Sequence, residues 1–544
     1  MTRTAALIFF AALAIRLAVI AQLHDEPLFR TPQLDALEYV EWGEQLARGD
    51  FTWPVAPTHG PGYPLLIGLV LAAARSLLAV QVLQAILGSI GAVLTWSTAR
   101  RFAGPVAGIA AGLLHAFYAP LILIDVSILA EGLFVFLLTL MLWLVARLSA
   151  GDFPRTTLPI VFAGLLLGFA IIVRPTAAVL VPLFGFFIVR ATEKRALAAA
   201  IFLAATAWPV LPVLIQNRIT SGSLAVQTSG GMNFHIGNTP SHDGTAWARP
   251  GGGWDLMRGA PWRAGIRNAG AEDRFYIRET LDQIAREPMG FAKVLASKLI
   301  WLTQDEEVRD SHSFHFFAVA APLLAWLPRF GVALALAVCG IVVTRRLQAW
   351  RLHLGYVLLM SITVVALVAG FRYRMPVMPA LFVFAGAGVA ATIAAIVERR
   401  WRSVGALALI FASVIVLSNL REHSESHDFS EELAMSALAL KNEGDVDDAA
   451  RLANVAISVN PRSDMAWVTL GDIEATRGRW AEAETAWRRA VSIDANNARA
   501  WSHLAHAHHR RQELKETEAM LRRALSIKYE PEAAGNLAVL QSAR

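Results

Sequence analysis

Residues 24–64 read HDEPLFRTPQLDALEYVEWGEQLARGDFTWPVAPTHGPGYP, and this stretch, the acidic loop, separates the first apolar segment of the chain from a long series of others. Four of its acids, Asp25, Glu26, Asp35 and Glu38, lie within its first fifteen residues. Charged side chains beside a hydrocarbon core are costly and are mostly retained for a function. The acidic loop therefore predicts a functional site at the surface of a membrane.

The composition indicates a membrane protein. Of the 544 residues, 55% are hydrophobic and only 17% are charged, which is too apolar for an ordinary soluble protein. The 49 Lys and Arg residues exceed the 43 Asp and Glu residues, but they stand in short clusters between apolar segments. Such clusters indicate membrane topology and not nucleic-acid binding. The single cysteine, Cys339, allows no disulfide within the chain.

Segment lengths predict an all-α polytopic membrane domain over residues 1–420. The first segment is interpreted as a retained anchor and not as a cleaved signal peptide, because Arg16 interrupts it and many apolar segments follow. Residues 63–79 contain too short an apolar run before Arg75 to cross, so we expect them to lie at the interface. About eleven spans are predicted, at 5–23, 81–98, 104–123, 128–147, 157–173, 176–189, 197–215, 328–344, 352–370, 376–397 and 404–419.

Basic clusters give the orientation. With a cytoplasmic N-terminus and a non-crossing 63–79 segment, the arginines at 100–101, 147 and 155, 190–195, 345–351 and 399–402 all fall inside. The acidic loop, a second large loop at 216–312 and the C-terminal tail then share the external side. In a bacterium this predicts a multi-pass inner-membrane protein with a periplasmic site and tail.

The tail repeats every 34 residues from Ser430 onward, in three copies. Trp467, Gly471, Trp480 and Ala483 stand at tetratricopeptide positions, so the pattern predicts an α-solenoid at 430–544, after a linker at 421–429. Residues 532–540 are predicted to form a capping helix. Such a stack either recruits a protein or peptide on its concave face or packs on the membrane domain, and the sequence leaves both open.

The acidic loop has the groups for proton transfer. A carboxylate next to His59 and Tyr63 can take a proton from an incoming hydroxyl. Residues 34–49 also have the pattern of an amphipathic helix that lies on a membrane surface. Both interpretations are compatible, because Asp35 and Glu38 would share one face of that helix.

Four arginines, Arg174, Arg218, Arg372 and Arg374, are predicted at external ends of spans, where the positive-inside rule does not favour them. Guanidinium groups bind phosphate through paired charge-assisted hydrogen bonds, so an anionic lipid phosphate explains their position. The alternative is that they bind ordinary headgroups or pair with buried acids.

Two further side chains are candidates for the sugar or the acceptor. Glu131 stands at an external turn, where it either joins the site or caps a helix. Asn238, in GGMNFHIGN, has an amide that can hydrogen-bond a sugar. The chain contains no HExxH and no paired CxxC, so a tight metal centre is not indicated, although a divalent cation stays possible. No other cofactor is predicted.

Several segments resemble the C superfamily of glycosyltransferases, and more closely its family 39, which includes protein O-mannosyltransferases and the lipid A aminoarabinose transferase. The similar segments are HGPGYPLL, LAEGLF, the Arg174–Pro175 step, NRITSGSLAVQTSGGMNFHIGNTPSHDGT and GFRYRMPVMP. The resemblance covers roughly residues 1–420 and implies transfer of a sugar from a polyprenyl phosphate to an external acceptor, with an aspartate of the first loop as base.

Motif by motif, DALEY matches the catalytic loop, which makes Asp35 the first candidate for the base and Asp25 the second. Apart from the resemblance, the four external arginines are predicted to bind the donor phosphate or lipid. Six further residues are candidates for binding the acceptor or sugar: Glu38, Tyr39, His59, Tyr63, Glu131 and Asn238. The implied partners are a polyprenyl-phosphate-linked sugar, membrane lipid and a protein or peptide at the repeats, with no nucleic acid. Two alternatives remain, a membrane-anchored tetratricopeptide scaffold and a transporter of lipid-linked glycans.

Overall fold

The computed structural model describes residues 2–54, 57–152, 156–246, 249–310, 313–347, 349–421 and 427–542. Every element in these ranges is helical, and one isolated bridge joins Thr245 to Ala369. The predicted all-α class is confirmed. Most of the predicted 421–429 linker, at 422–426, lies outside the described residues.

Seven helical segments are long and apolar enough to cross a membrane, and an eighth is added if one bent pair counts as a single span. Three shorter apolar segments, Leu158–Val173, Pro175–Arg190 and Trp350–Ala366, coincide with the other predicted spans. The count of eleven therefore stays a prediction. The seven are Arg3–Leu23, Leu77–Ala103, Ala130–Ser149, Arg195–Ser221, Pro322–Thr344, Phe371–Val397 and Trp401–Ser418.

Some of these segments contain breaks. Pro175–Leu180 is a 3-10 turn that continues as Val181–Arg190, and a 3-10 turn at Pro322–Trp326 precedes Phe330–Thr344. Phe371–Arg374 and the turn Met375–Val377 likewise precede the long helix Met378–Val397. Of these short entry turns, Phe371–Arg374 carries charged side chains, Arg372 and Arg374.

The predicted single span at 104–123 is a bent pair. Pro105–Phe117 and Ala119–Val126 meet at Tyr118 with an angle of 54°. Pro120 has no amide hydrogen with which to continue the hydrogen-bond ladder of the first helix, and its fixed φ suits the first turn of a new helix. The second half of this pair is buried along its whole length.

The two large loops, which are predicted to be external, are built from short helices. The acidic loop contains Pro27–Arg30 and Asp35–Ala47, and the next helix, Gly62–Ala74, has 13 residues. At 1.5 Å per residue it is about 20 Å long, which is shorter than the hydrocarbon core. The 216–312 loop forms Gly230–Asn238, Gly252–Arg258, Ala260–Arg263, Ala269–Arg286 and Pro288–Thr303, and Phe314–Ala320 follows it.

The tail forms three helix pairs and a final helix, as predicted. Gly444 and Gly478, which follow the first helix of the first two repeats, have φ of 92° and 76°. Gln512 has the equivalent place in the third repeat, again 34 residues on, and also adopts a positive φ of 61°. The helices are Ser430–Glu443 and Val446–Val459, Asp464–Thr476 and Trp480–Ile493, Ala498–Arg510 and Leu514–Ile527, and Pro531–Ser542.

The solenoid packs on the short helices of the two large loops. Its first helix bonds to the acidic loop: Ser436 donates to Oε1 of Glu26 at 2.8 Å, and Arg30 pairs with Glu443 at 2.7 Å. Farther along the stack, Nζ of Lys528 lies 3.0 Å from Oδ1 of Asp255 in the second loop. The repeats and both external loops thus lie on one side of the membrane helices.

Candidate active site

An ion pair joins the acidic loop to a distant span. Asp35 is the first residue of its helix, where the helix dipole favours a carboxylate. Its Oδ2 accepts a hydrogen bond of 2.7 Å from Nη1 of Arg372, which stands in the short turn before the Met378–Val397 helix. Nε of the same guanidinium lies 3.2 Å from Oδ1 of Asp310. One buried arginine therefore holds two carboxylates from different external segments.

A second pair adjoins the first. Glu131 lies in the first turn of Ala130–Ser149, and Arg174, which caps Leu158–Val173, donates from Nη2 to its Oε1. This oxygen is also 3.9 Å from Nη1 of Arg372. Oε2 of Glu131 is buried and has no hydrogen-bond partner among the described residues. It is therefore an acceptor that is free to bind a ligand hydroxyl.

His59 orders the other side of the carboxylate. Its Nε2 lies 3.3 Å from Oε2 of Glu38 and 3.7 Å from Oδ1 of Asp35, while its Nδ1 lies 3.3 Å from the hydroxyl of Tyr39. Because two carboxylates face Nε2, the proton of the neutral ring belongs there, and Nδ1 accepts from the tyrosine. The ring of Tyr63 packs edge-on against Tyr39, at 4.9 Å between centroids.

The charges around Asp35 shift its protonation. Burial alone raises the pKa of Asp35, but Arg372, His59 and Arg174 outweigh it and hold this pKa well below its usual value. For His59, burial lowers the pKa, and the opposing effect of Asp35 does not restore it. At neutral pH the site therefore contains an ionised aspartate beside a neutral histidine.

A cavity of about 350 Å³ opens next to the two ion pairs. Glu131, Arg174 and Arg372 contribute its charged wall, and Phe134 and Val364 are among its apolar residues. The second external loop adds Gln227, Asn233 and Asp273. The lining thus combines charged and polar groups with apolar side chains, as in many small-molecule sites.

The second loop also fixes the acidic loop in place. Ser229 donates a hydrogen bond of 2.6 Å to the carbonyl of Thr58, and Thr228 bonds to the carbonyl of Pro57 through both its amide and its hydroxyl. The neighbouring residue His59 is therefore held by backbone contacts on its N-terminal side. The site combines segments that are far apart in the chain.

Four of the sequence candidates lie outside this cluster. Arg374 pairs with buried Glu307 at 2.7 Å and bonds to the carbonyl of Gln304. Arg218 is exposed and bonds to the carbonyl of Gly222. Asn238 accepts from Lys298 at 2.8 Å, and its amide donates to the carbonyl of Ala366. Asp25 is exposed at the end of the first helix.

Three polar residues that were not predicted as site residues form buried polar contacts in the structure. Asp310 contacts Arg372, as described, and the dense acids of 305–310 were the available signal. Gln84 accepts from the hydroxyl of Tyr63 at 2.6 Å. Nη2 of Arg16 lies 2.7 Å from Oδ2 of Asp125, so these two buried charges, both in apolar helices, neutralise each other. Among the described residues, no three His, Cys, Asp or Glu side chains form a metal-binding group.

Comparison with known proteins gives two family matches. Residues 58–216 match the family described as dolichyl-phosphate-mannose-protein mannosyltransferase, and residues 471–512 match a tetratricopeptide repeat family. The predicted resemblance is confirmed. The first match contains His59, Tyr63, Glu131 and Arg174 of the mannosyltransferase-like part, and the second lies within the predicted repeats. No curated protein matches the chain.

Solved structures give weaker likenesses. The oligosaccharyltransferase AglB from Archaeoglobus fulgidus, in complex with an inhibitory peptide and a dolichol-phosphate, is 13% identical over 81% of this chain and 59% of its own, with a TM-score of 0.42. The Yersinia enterocolitica type III secretion chaperone SycD, in complex with a peptide of the translocator YopD, is 19% identical over 22% of this chain and 98% of its own, with a TM-score of 0.20. PcrH from Pseudomonas aeruginosa is 20% identical over 23% of this chain and 92% of its own, with a TM-score of 0.19.

The family matches together with the apolar helices support a multi-pass membrane glycosyltransferase that uses a lipid-linked sugar, in these general terms. The tetratricopeptide match supports an interaction with protein.

Proposed function

We propose that this protein transfers a sugar from a polyprenyl-phosphate donor to an acceptor hydroxyl on the external, periplasmic side of the inner membrane. The observation that carries the proposal is the Asp35–Arg372 ion pair at the edge of the 350 Å³ cavity. It supports the proposal because a carboxylate can take the proton that leaves the acceptor, and a guanidinium can bind the phosphate that leaves the donor.

The reaction is a single displacement. Asp35 takes the proton of the acceptor hydroxyl, whose oxygen forms a bond to the anomeric carbon of the sugar. The bond from that carbon to the phosphate oxygen breaks, and its electrons leave with the polyprenyl phosphate. One displacement inverts the anomeric configuration.

Arg372 is proposed to pair first with Asp35 and then with the donor phosphate. While it is paired with Asp35, the low pKa of this carboxylate makes it a poor base. A donor phosphate in the cavity competes for the same guanidinium, because forked arginine groups bind phosphate as well as carboxylate. Each move of Arg372 toward the phosphate raises the pKa of Asp35, so that donor binding itself activates the base.

Arg174 and Glu131 form the opposite side of the site. Arg174 contributes a second positive charge to the cavity wall and supports the departing phosphate. The unpartnered Oε2 of Glu131 accepts a hydroxyl of the sugar. Glu38, Tyr39, His59 and Tyr63 hold Asp35 in place and line the approach of the acceptor.

The remaining sequence candidates receive different roles. Arg374 and Asn238 position the turn that carries Arg372, through Glu307 and Lys298 respectively. Arg218 and Asp25 are exposed and lie outside the reacting region. The tetratricopeptide repeats bring a protein partner or acceptor to the external side.

The test is transfer from lipid-linked donors in isolated membranes. Mannosyl, glucosyl and aminoarabinosyl polyprenyl phosphates serve as radiolabelled probes, and Asp35→Asn is expected to reduce transfer by about 10² to 10⁴. The matched control is Glu44→Gln, which changes an exposed acid of the same helix and should leave transfer unchanged. Undiminished transfer by well-expressed Asp35→Asn would refute the assignment of the base.

A further inference from the structure

A second cavity, of about 600 Å³, lies at the opposite ends of the membrane helices from the candidate active site. Its lining includes Arg147, which stands sixteen residues after Glu131 on the single helix Ala130–Ser149. At 1.5 Å per residue the two side chains are separated by about 24 Å along the helix axis. We call this space the basic cavity.

Four arginines from four different helices converge on the basic cavity. Arg101 and Arg147 lie in the last turns of their helices, Arg190 is the last residue of Val181–Arg190, and Arg351 lies in the first turn of Trp350–Ala366. Within the described residues, Asp152 lies 2.8 Å from Arg101 and 3.4 Å from Arg147. One carboxylate against four guanidinium groups leaves a strong excess of positive charge.

Aromatic walls orient two of these arginines. The guanidinium carbon of Arg147 lies 5.2 Å from the ring centre of Trp143, and that of Arg190 lies 5.4 Å from the ring centre of Phe186. Nη2 of Arg147 also donates to Ser97 at 3.0 Å. The positive-inside rule explains why arginines stand at this face, but not why they converge on one cavity with aromatic sides.

Two buried polar atoms of the lining have no hydrogen-bond partner among the described residues, Oγ of Ser149 and Nε2 of His353. His353 is only 1% exposed, and its Nδ1 lies 2.8 Å from the carbonyl of Ala349. Nδ1 therefore carries the proton of the neutral ring, and Nε2 is an acceptor. Leaving such groups unpaired is costly, so both atoms point to a ligand with hydroxyl and phosphate groups.

We infer that the basic cavity binds a phosphate group with a neighbouring hydroxyl, and that a phosphoglyceride headgroup at the inner face of the membrane supplies it. The four guanidinium groups match the phosphate oxygens, Ser149 donates to another oxygen, and Nε2 of His353 accepts from the hydroxyl. The apolar side chains of Phe102 and Leu352 line the same space and suit the start of an acyl chain. Basic pockets between spans on this side are established headgroup sites in membrane proteins generally. The inference is independent of the proposed transfer reaction.

The test is protection of a cysteine placed at the cavity. Ala150 lines it and is exposed, so Ala150→Cys in a Cys339→Ala background gives one thiol for a water-soluble maleimide. The full chain is reconstituted in phosphatidylcholine nanodiscs, with and without phosphatidylglycerol. Phosphatidylglycerol is expected to slow labelling by at least about tenfold.

Paired substitutions identify the cause. Arg190→Gln with Arg351→Gln is expected to abolish the protection, whereas Arg345→Gln with Arg346→Gln, two exposed arginines at the same face outside the cavity lining, should preserve it. Thermal unfolding checks that each variant is folded. If an arginine pair fails this check, native mass spectrometry of phosphatidylglycerol retained by Ser149→Ala replaces it, with Ser403→Ala as its control.

Soluble glycerol 3-phosphate distinguishes the sources of the phosphate. Protection by phosphatidylglycerol alone supports the lipid headgroup, whereas equal protection by glycerol 3-phosphate supports the phosphate site and overturns the lipid source. Equal labelling in every lipid, or equal loss of protection in both arginine pairs, would overturn the inference.

Discussion

Nη1 of Arg372 lies 2.7 Å from Oδ2 of Asp35, although 337 residues separate the two in the chain. The second external loop contacts the same guanidinium through Asp310, so Arg372 lies between carboxylates of the two loops. The pair links the residue proposed to accept a proton with the residue proposed to bind the leaving phosphate. Its consequences can be measured in the pH dependence of transfer.

Arg372→Gln is expected to lower kcat/KM for transfer by about 10² to 10³ and to move upward the acid limb of the kcat/KM profile, which reports the enzyme before the donor binds. In the wild type, Asp35 is ionised down to pH values below its usual pKa, and the pKa of His59 is also lowered, so the acid limb lies below about pH 6.5. Without the guanidinium, burial raises the pKa of Asp35, and the carboxylate is protonated at higher pH. Profiles with the same donor give the measurement, and Arg48→Gln, which changes the exposed C-cap residue of the Asp35–Ala47 helix, is the control. An unchanged acid limb would mean that Asp35 does not titrate in the reaction.

Gly88→Ala is expected to destabilise the membrane part by about 3 to 5 kcal/mol. A Cβ at this position would lie 2.1 Å from Oδ2 of Asp125 and 2.8 Å from Nε of Arg16, so it would force apart their buried ion pair. The measurement is thermal unfolding in detergent. Gly405→Ala is a matched control, because this helical glycine has open space around it and alanine favours the helix. Equal unfolding temperatures for the two variants would contradict the structural role of the pair.

Arg309→Ala is expected to loosen the solenoid from the membrane part. Arg309 is buried and pairs with Glu431 at 2.6 Å and with Glu432 at 2.9 Å. Because its removal leaves both carboxylates without this counter-charge, we expect the free energy of unfolding to fall by about 3 to 5 kcal/mol. Arg30→Ala removes a half-exposed pair with Glu443, worth at most about 1 kcal/mol. Hydrogen exchange of the Ser430–Glu443 helix should rise strongly in the first variant and little in the second. The reverse order would show that the contact does not depend on Arg309.

Alkaline phosphatase fused after the C-terminus is expected to be active, because the repeats share the side of the acidic loop and that side is proposed to be periplasmic. A fusion after Arg346, in a predicted cytoplasmic connection, should be inactive. Fusion protein levels serve as the control for both. An inactive but stable C-terminal fusion would indicate that the site and the tail lie in the cytoplasm, which would contradict the proposed topology.

The sequence by itself determined the features that repeat locally. The 34-residue period required three helix pairs, and even the left-handed turns recur at Gly444, Gly478 and Gln512. Long apolar segments required a helical membrane domain, since a backbone in lipid must satisfy its own hydrogen bonds. The matches at 58–216 and 471–512 agree with what these patterns indicated.

Only the tertiary structure decided which charges meet. Arg372 and Arg374 are two residues apart, yet the first pairs with Asp35 at the cavity and the second with Glu307, away from it. Likewise Asp35 lies in the cluster while Asp25 stays exposed. Helix periodicity specifies neighbours within a few turns, whereas contacts across hundreds of residues depend on how the helices pack. For this reason the residue types of the site could be predicted from the sequence, but their pairing and the basic cavity could not.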